Sequence, residues 1–247
     1  CANSRHNGFS NDDVIYLIFP DRFVNGDTAN DFLFNEKEEF GFKKENGRHG
    51  GDISGIIDKL DYLKDLGITT IWSTPLLENN MYMSYHGYAA TDFYRVDPRQ
   101  GSNELYKSFV EKAHQKGLKV IYDHVANHIG INHKWVGNLP TNTWINGKPG
   151  NHLPAEHNKL AYVDIHAPQK SVVNANEGWF VDYMPDLNQR GPKLAKYIIQ
   201  NTIWWIETAG LDGIRIDTQP YSYKEFISEW SERIFSEYPN FNVVGES

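Results

Sequence analysis

Ile56-Ile57-Asp58-Lys59-Leu60-Asp61-Tyr62-Leu63-Lys64-Asp65-Leu66 is followed by Gly67 and the apolar run Ile68-Thr69-Thr70-Ile71-Trp72. Positions 56, 60 and 63 fall on one helical face, and Ser54 can cap the start. The glycine can take the left-handed conformation that ends a helix and turns the chain back. The stretch therefore reads helix, turn, strand. The same grammar returns twice. Leu105, Phe109 and Ala113 share a helical face before Gly117 and the apolar run 118–122. Pro192 suits a first helical turn, Leu194, Ile198 and Trp205 face one way, and Gly210 precedes a strand at 213–216. A further helix, 223–238, would bury Phe226, Trp230 and Ile234 and lead into a strand at 241–244, and 14–19 supplies a strand at the start. About five strands alternating with helices predict a parallel sheet in an α/β fold.

The 247 residues include 40% hydrophobic and 14% aromatic side chains, too many for a disordered chain and enough for a sizeable core. Asp and Glu (32) outnumber Lys and Arg (24), and the net charge of −8 argues against nucleic acid as a partner. No apolar stretch approaches the ~20 residues of a transmembrane segment. The single cysteine, Cys1, leaves no intrachain disulfide and no cysteine-built zinc site. Cys1 is read as a boundary of the chain rather than as the acylated first residue of a lipoprotein. Compartment and oligomeric state are not assigned.

The interval between Gly117 and Gly210 is much longer than that between Gly67 and Gly117, and it contains 127–189, rich in Asn, His, Pro and Gly. So long a stretch between a strand and its helix predicts a functional insertion at the strand's carboxyl end. Ligands of parallel α/β folds gather at those ends, and Asp123, Asp217 and Glu246 end three of the strands. Consecutive parallel strands lie ~4.8 Å apart, so Asp217 and Glu246 could approach to roughly 5 Å, the carboxylate separation of retaining glycosidases. Such a pair needs one ionised and one protonated member. Arg215 shares the strand face of Asp217 and is expected to lower its pKa, whereas Glu246 has no cation near it in sequence and suits a raised one. His124 and His128 are four apart, but they follow a strand end directly, and a helical two-histidine metal site is set aside. Asn25, Asp27, Asn30 and Asp31, with Gly50 and Asp52, offer oxygens of the kind a hard cation such as calcium takes, although such a stretch read alone is more often a turn.

Asp123-His124-Val125-Ala126-Asn127-His128, Met184-Pro185-Asp186-Leu187-Asn188, Gly213-Ile214-Arg215-Ile216-Asp217 and Val244-Gly245-Glu246 resemble, in order and spacing, the signatures of the alpha-amylase family of glycoside hydrolases. Tyr85-His86-Gly87-Tyr88 followed by Thr91-Asp92-Phe93-Tyr94 looks like another of its segments. The Met-Pro-Asp-Leu-Asn form and Asp217-Thr218-Gln219-Pro220-Tyr221 look most like the neopullulanase and cyclomaltodextrinase branch. The resemblance runs from about Asp13 to the last residue.

It implies a (β/α)8 TIM barrel of which about the first five strands are present, with a loop-rich domain inserted after the third. On that reading 1–123 begin the barrel, 124–190 form the small inserted domain and 191–247 continue the barrel. The resemblance further implies that Asp217 attacks the anomeric carbon and Glu246 protonates the leaving oxygen. Arg215 would hold the nucleophile, His86 and His128 would bond sugar hydroxyls, Tyr88 would stack under the ring being cleaved, and Asp123 joins the substrate-binding set. The implied substrate is an α-glucan such as a maltooligosaccharide, a cyclodextrin or pullulan. The branch often holds calcium through residues matching Asn25, Asp27, Asn30, Asp31, Gly50 and Asp52. A second family calcium uses residues matching Asn127 and Asp186, but the Lys-His that completes it is Pro220-Tyr221 here, so a ligand is lost. The family's third acid, in a later His-Asp pair, does not occur up to Ser247. The chain is therefore expected to be a piece of a longer enzyme and to hydrolyse little by itself. A non-catalytic glucan-binding module of the same fold and a transglycosylase stay open as alternatives.

Overall fold

The computed structural model describes residues 6, 8–32 and 45–247; Cys1 lies outside them. In chain order the strands are β1 (Ile15–Ile18), β2 (Thr70–Ser73), β3 (Leu77–Glu78), β4 (Asp92–Val96), β5 (Lys119–His124), β6 (Gly213–Ile216) and β7 (Asn242–Gly245). The helices are α1 (Pro20–Phe23), α2 (Ile53–Asp58), α3 (Leu60–Asp65), α4 (Asn103–Gln115), α5 (Lys134–Gly137), α6 (Leu160–Val163), α7 (Gln169–Glu177), α8 (Pro192–Ala209) and α9 (Lys224–Glu237). Strands β1-β2-β5-β6-β7 form one parallel sheet in chain order, as the alternation of strands and helices predicts, and β3 pairs antiparallel with β4 beside it. Gly67 and Gly210 take φ of 88° and 78°, the left-handed turn that returns α3 and α8 to the sheet.

Period-two alternation decides what each strand gives to each side. On β5, Val120 and Tyr122 enter the hydrophobic core, and on β6 Ile214 and Ile216 do the same. They pack with Ile56, Leu60 and Leu63, with Phe109 and Ala113, with Leu194, Ile198 and Trp205, and with Phe226, Trp230 and Ile234. These are the helical faces read from the sequence. The intervening residues, Asp123 on β5 and Arg215 on β6, point to the opposite face, which leaves two charged side chains for a site.

Some details differ from expectation. The helix read over 56–66 is two helices broken at Lys59, and its cap is Asp52, whose carboxylate accepts the Gly55 N–H at 2.7 Å; Ser54 lies inside the first turn. The β3–β4 hairpin was not expected; β3 has only two residues and carries no periodicity of its own. Within 124–190 the chain forms α5, α6 and α7 and isolated bridges such as His128 with Asp186 and Ile145 with Leu187. Helix α7 escapes the sequence because among its residues only Ala175 is buried, so its apolar face is slight.

Candidate active site

Arg215 stands at the centre of the carboxyl-end cluster. Its Nη1 donates to Asp123 Oδ1 at 2.7 Å and to Asp217 Oδ1 at 2.8 Å, and its Nη2 lies 2.7 Å from Glu246 Oε2. The register explains the convergence. Asp123 on β5 is level with Arg215 on β6, which is level with Val244 on β7. The ladder continues past the strand ends, with Asp217 N–H donating to the His124 carbonyl and Glu246 N–H to the Ile216 carbonyl. Asp217 and Glu246 are thus neighbours at the rim, and Asp123 sits one pleat lower. One guanidinium touches both rim acids.

Asp123 has no exposed side-chain surface. Its Oδ2 accepts from Trp72 Nε1 at 2.9 Å and from Tyr88 OH at 3.0 Å, while Oδ1 takes Arg215. The expectation that Asp123 touches substrate is corrected: it is sealed beneath the site and holds Arg215 and Tyr88 in place. Trp72 and Tyr88 also flank the Arg215 guanidinium, 5.2 and 5.7 Å from their ring centroids.

The electrostatics also depart from the sequence reading. Arg215 does lower the Asp217 pKa, but burial outweighs it, and the carboxylates of Asp123 and Glu246 add to the rise, so Asp217 is pushed up to about 7. Burial likewise raises Asp123 to about 6 against the pull of Arg215. Glu246 does have a cation beside it, the same Arg215, and its side chain is 46% exposed. One guanidinium shared among three carboxylates leaves excess negative charge, and buried Asp217 holds its proton toward the neutral range.

His86 and His128 are both held neutral, with pKa lowered to about 4 chiefly by burial. His86 Nδ1 accepts the Tyr88 N–H at 3.0 Å, and the two rings stack at 5.9 Å. His128 turns Nε2 to the Tyr88 carbonyl, 3.1 Å away, and stacks on Phe180. His124 goes to the other face of the sheet, where Nε2 meets Thr202 Oγ1 at 3.1 Å and the ring stacks on Trp230, so the two histidines share no metal. Beside Glu246 opens a cavity of about 760 Å³ whose lining includes Tyr162, Phe180, Thr218, Tyr221 and Lys224. Neutral imidazoles that can donate and accept, aromatic faces and paired acids are what a polyhydroxylated ring needs for recognition and cleavage.

The sequence model of the alpha-amylase catalytic domain matches residues 17–247. The chain belongs to the alpha-amylase family. Among curated proteins it is 33% identical to a cyclomaltodextrinase of Thermoanaerobacter pseudethanolicus over 96% of its length, covering 40% of that enzyme. It is 32% identical to an intracellular maltogenic amylase of Bacillus subtilis over 94% of its length, covering 37% of that protein. Among solved structures, an Anoxybacillus alpha-amylase superposes with a TM-score of 0.81 at 34% identity, covering 96% of this chain and 47% of that one. A Geobacillus thermoleovorans alpha-amylase complexed with acarbose gives 0.77 at 35%, covering 96% and 46%. The chain thus spans about two-fifths of the length of these curated relatives.

The alpha-amylase catalytic domain implies a (β/α)8 barrel, and the five parallel strands here belong to that plan. The fold brings Asp123, Arg215, Asp217, Glu246 and Tyr88 together, with His86 and His128 bordering Tyr88. Two participants were not foreseen. Trp72 was read only as part of an apolar strand, and Thr218 only as part of a motif.

The Asn25–Asp52 region is a separate place. The Asp52 carboxylate accepts the N–H groups of Gly26, Asp27 and Gly55 and the Asn30 amide. Asn25 Nδ2 donates to Asp31 at 2.8 Å. Asn25 Oδ1 and Asn30 Oδ1 remain buried without a hydrogen-bond partner. Burial raises the Asp31 pKa, and the charges of Asp52, Asp27 and Asp21 raise it further. Among the described residues no three His, Cys, Asp or Glu side chains form a metal cluster, so any cation here would lean on amide oxygens. No helix of the described residues is long and apolar enough to cross a membrane.

Proposed function

We propose that the chain carries the acid pair of a retaining α-glucan hydrolase that acts on maltooligosaccharides, cyclodextrins or pullulan. The single observation that carries this reading is the Arg215 guanidinium reaching Asp217 at 2.8 Å and Glu246 at 2.7 Å from its two ends. Asp217 attacks the anomeric carbon as the glycosidic bond breaks, and Glu246 gives its proton to the departing oxygen. The proton that the cluster retains near neutrality is the one the leaving oxygen requires, and its transfer to Glu246 leaves Asp217 ionised beside Arg215. His86 and Tyr88 border the sugar on one side, and the aromatic cavity of Phe180, Tyr162 and Tyr221 borders the leaving side. Segment 124–190 acts as the small second domain walling the cleft, a reading supported by His128 and Phe180 stacking at its edge. Closure into a barrel is supported by the apolar Ile15, Leu17 and Val244, exposed on the outer strands β1 and β7.

Calcium belongs to the same proposal. The two orphaned Asn oxygens fit a hard cation, with Asp27, Asp31 and the Gly50 carbonyl as further donors and Asp52 bracing the loop from behind. The ion would stabilise the loop and take no part in the chemistry. The deciding experiment is product analysis of the full-length protein and its Asp217→Asn variant on maltooligosaccharides, cyclodextrin and pullulan. The variant is expected to lose at least a thousandfold in turnover while still binding sugar; retained turnover would refute the assignment.

A further inference from the structure

Thr218 holds a backbone that its side chain disfavours. Its φ of 44° and ψ of 40° lie in the left-handed region, where a β-branched residue is an outlier that its surroundings must impose. Those surroundings are the two acids. The Thr218 N–H donates to Glu246 Oε2 at 2.9 Å, and its Oγ1 donates to Asp217 Oδ2 at 3.2 Å. Thr218 itself is buried, and Tyr221 N–H donates back to its carbonyl at 3.0 Å, closing the short 3-10 turn Gln219–Tyr221. That turn lies hard against the end of β7. A Cβ on Gly245 would meet Gln219 Oε1 at 2.6 Å, so the glycine lets the turn seat where the Thr218 amide can reach Glu246.

The Asp217 carboxylate is divided between two donors: Oδ1 takes the guanidinium at 2.8 Å and Oδ2 takes the hydroxyl at 3.2 Å. We propose that Thr218 is a positioning residue for glycosyl transfer, its hydroxyl presenting Asp217 Oδ2 as the attacking oxygen and its amide keeping Glu246 beside the leaving oxygen. This rests on the glycosidase reading above. In the first step Oδ2 bonds to the anomeric carbon, the bond from that carbon to the glycosidic oxygen breaks, and the Glu246 proton goes to that oxygen. In the second, water gives a proton to Glu246, its oxygen bonds to the anomeric carbon, and the bond to Asp217 breaks. The longer, neutral hydroxyl contact orients Oδ2 without holding its electrons as firmly as Arg215 holds those of Oδ1. The left-handed backbone is what lets one residue serve both acids.

The test uses the full-length protein and maltotriose. Thr218→Val keeps the shape and the β-branch but removes the hydroxyl. It is expected to lower kcat about tenfold or more, with KM changed less than about twofold. The acid limb of its pH profile should move to higher pH, because the hydroxyl favours ionised Asp217. Asp123 from β5, Arg215 from β6, Glu246 from the end of β7 and Tyr88 from the facing loop surround Asp217 in wild type and variant alike, so the displacement reports the hydroxyl. Thr218→Ser should restore kcat to within about threefold. A folded Thr218→Val protein with wild-type kcat and acid limb overturns the proposal, as does a Thr218→Ser protein as slow as Thr218→Val. Should Thr218→Val not fold, Thr218→Ala against Thr218→Ser decides by the same criteria. If the wild-type protein cleaves no glucan, the glycosidase reading falls and takes this one with it; if it cleaves and Thr218→Val is unaffected, only this one falls.

Discussion

Asp123, Asp217 and Glu246 are tied together by one guanidinium, whereas Asp27, Asp31 and Asp52 gather around amides. In the first group the cation is part of the chain. The carboxylates have fixed places before any ligand arrives, and what is left to vary is a proton. In the second group backbone and Asn N–H groups satisfy the carboxylates, and two amide oxygens are left over, buried and unbonded. The two clusters thus differ in which atoms remain without a partner: none of the carboxylate oxygens of the first that meet Arg215, but two amide oxygens in the second.

The comparison breaks most visibly at Arg215. Replacing it with Met leaves three carboxylates around an apolar side chain, and removal of one partner from a buried charge cluster costs about 3–5 kcal/mol. Chemical denaturation of the full-length Arg215→Met protein should show that loss, together with hydrolysis at the limit of detection. Arg215→Lys keeps the charge but not the fork, so it cannot reach Asp217 and Glu246 from two ends and should be intermediate. If Arg215→Met is as stable as wild type, the guanidinium does not hold the cluster together.

The proton of the first cluster gives the next effect. The folded Asp217 pKa, about 7, is above the ordinary value of 3.8, so the native state holds a proton that the unfolded chain has released between those values. Stability from this group is therefore fully present below about pH 4 and falls as pH rises toward 7, by about 4 kcal/mol at most. Asp217→Asn removes the titration. Melting curves of the two proteins from pH 4 to 8 should diverge in favour of the variant as pH rises, then run parallel above about 7. The slope is the readout, since the lost bond to Arg215 shifts only the offset. Curves that stay parallel throughout would show that Asp217 titrates normally.

How much of this was legible follows from periodicity. Val120 and Tyr122 against Asp123, and Ile214 and Ile216 against Arg215, are alternations visible in the chain, and they sort the helix side from the site side without coordinates. The acids were legible as strand ends. What was not legible depends on register between strands. Glu246 lies far from Arg215 in sequence, and only the pairing of β6 with β7 brings the guanidinium to it. The same applies to Trp72, an apolar residue by pattern whose indole N–H reaches Asp123 on the neighbouring strand β5. Thr218 gives no signal at all, because a left-handed threonine is imposed by tertiary bonds and not by local preference. The helix cap made by Asp52 was not legible either, because a carboxylate after a glycine fits a metal shell or a helix cap equally well, and its four donors appear only in the fold.

The smallest effect sharpens the second half of the comparison. If Asn25 Oδ1 and Asn30 Oδ1 await a cation, calcium should stabilise the full-length protein, whereas a loop satisfied by its own amides should ignore it. At about a hundred times the dissociation constant the gain is about 2.7 kcal/mol, readily seen as a higher Tm in calcium than in chelator. Magnesium should do less, because it demands a tighter octahedron and keeps its waters. Asp31→Asn removes a charged donor while leaving the Asp52 cap intact, so it should shrink the calcium increment with little change in the chelator-treated Tm. That pattern separates an ion bound at this loop from a general salt effect, which would persist in the variant. Identical melting of the wild-type protein in calcium and in chelator would leave the two Asn oxygens as unpaired groups in an ordinary turn, and the contrast between the two acidic clusters would reduce to the presence of Arg215 alone.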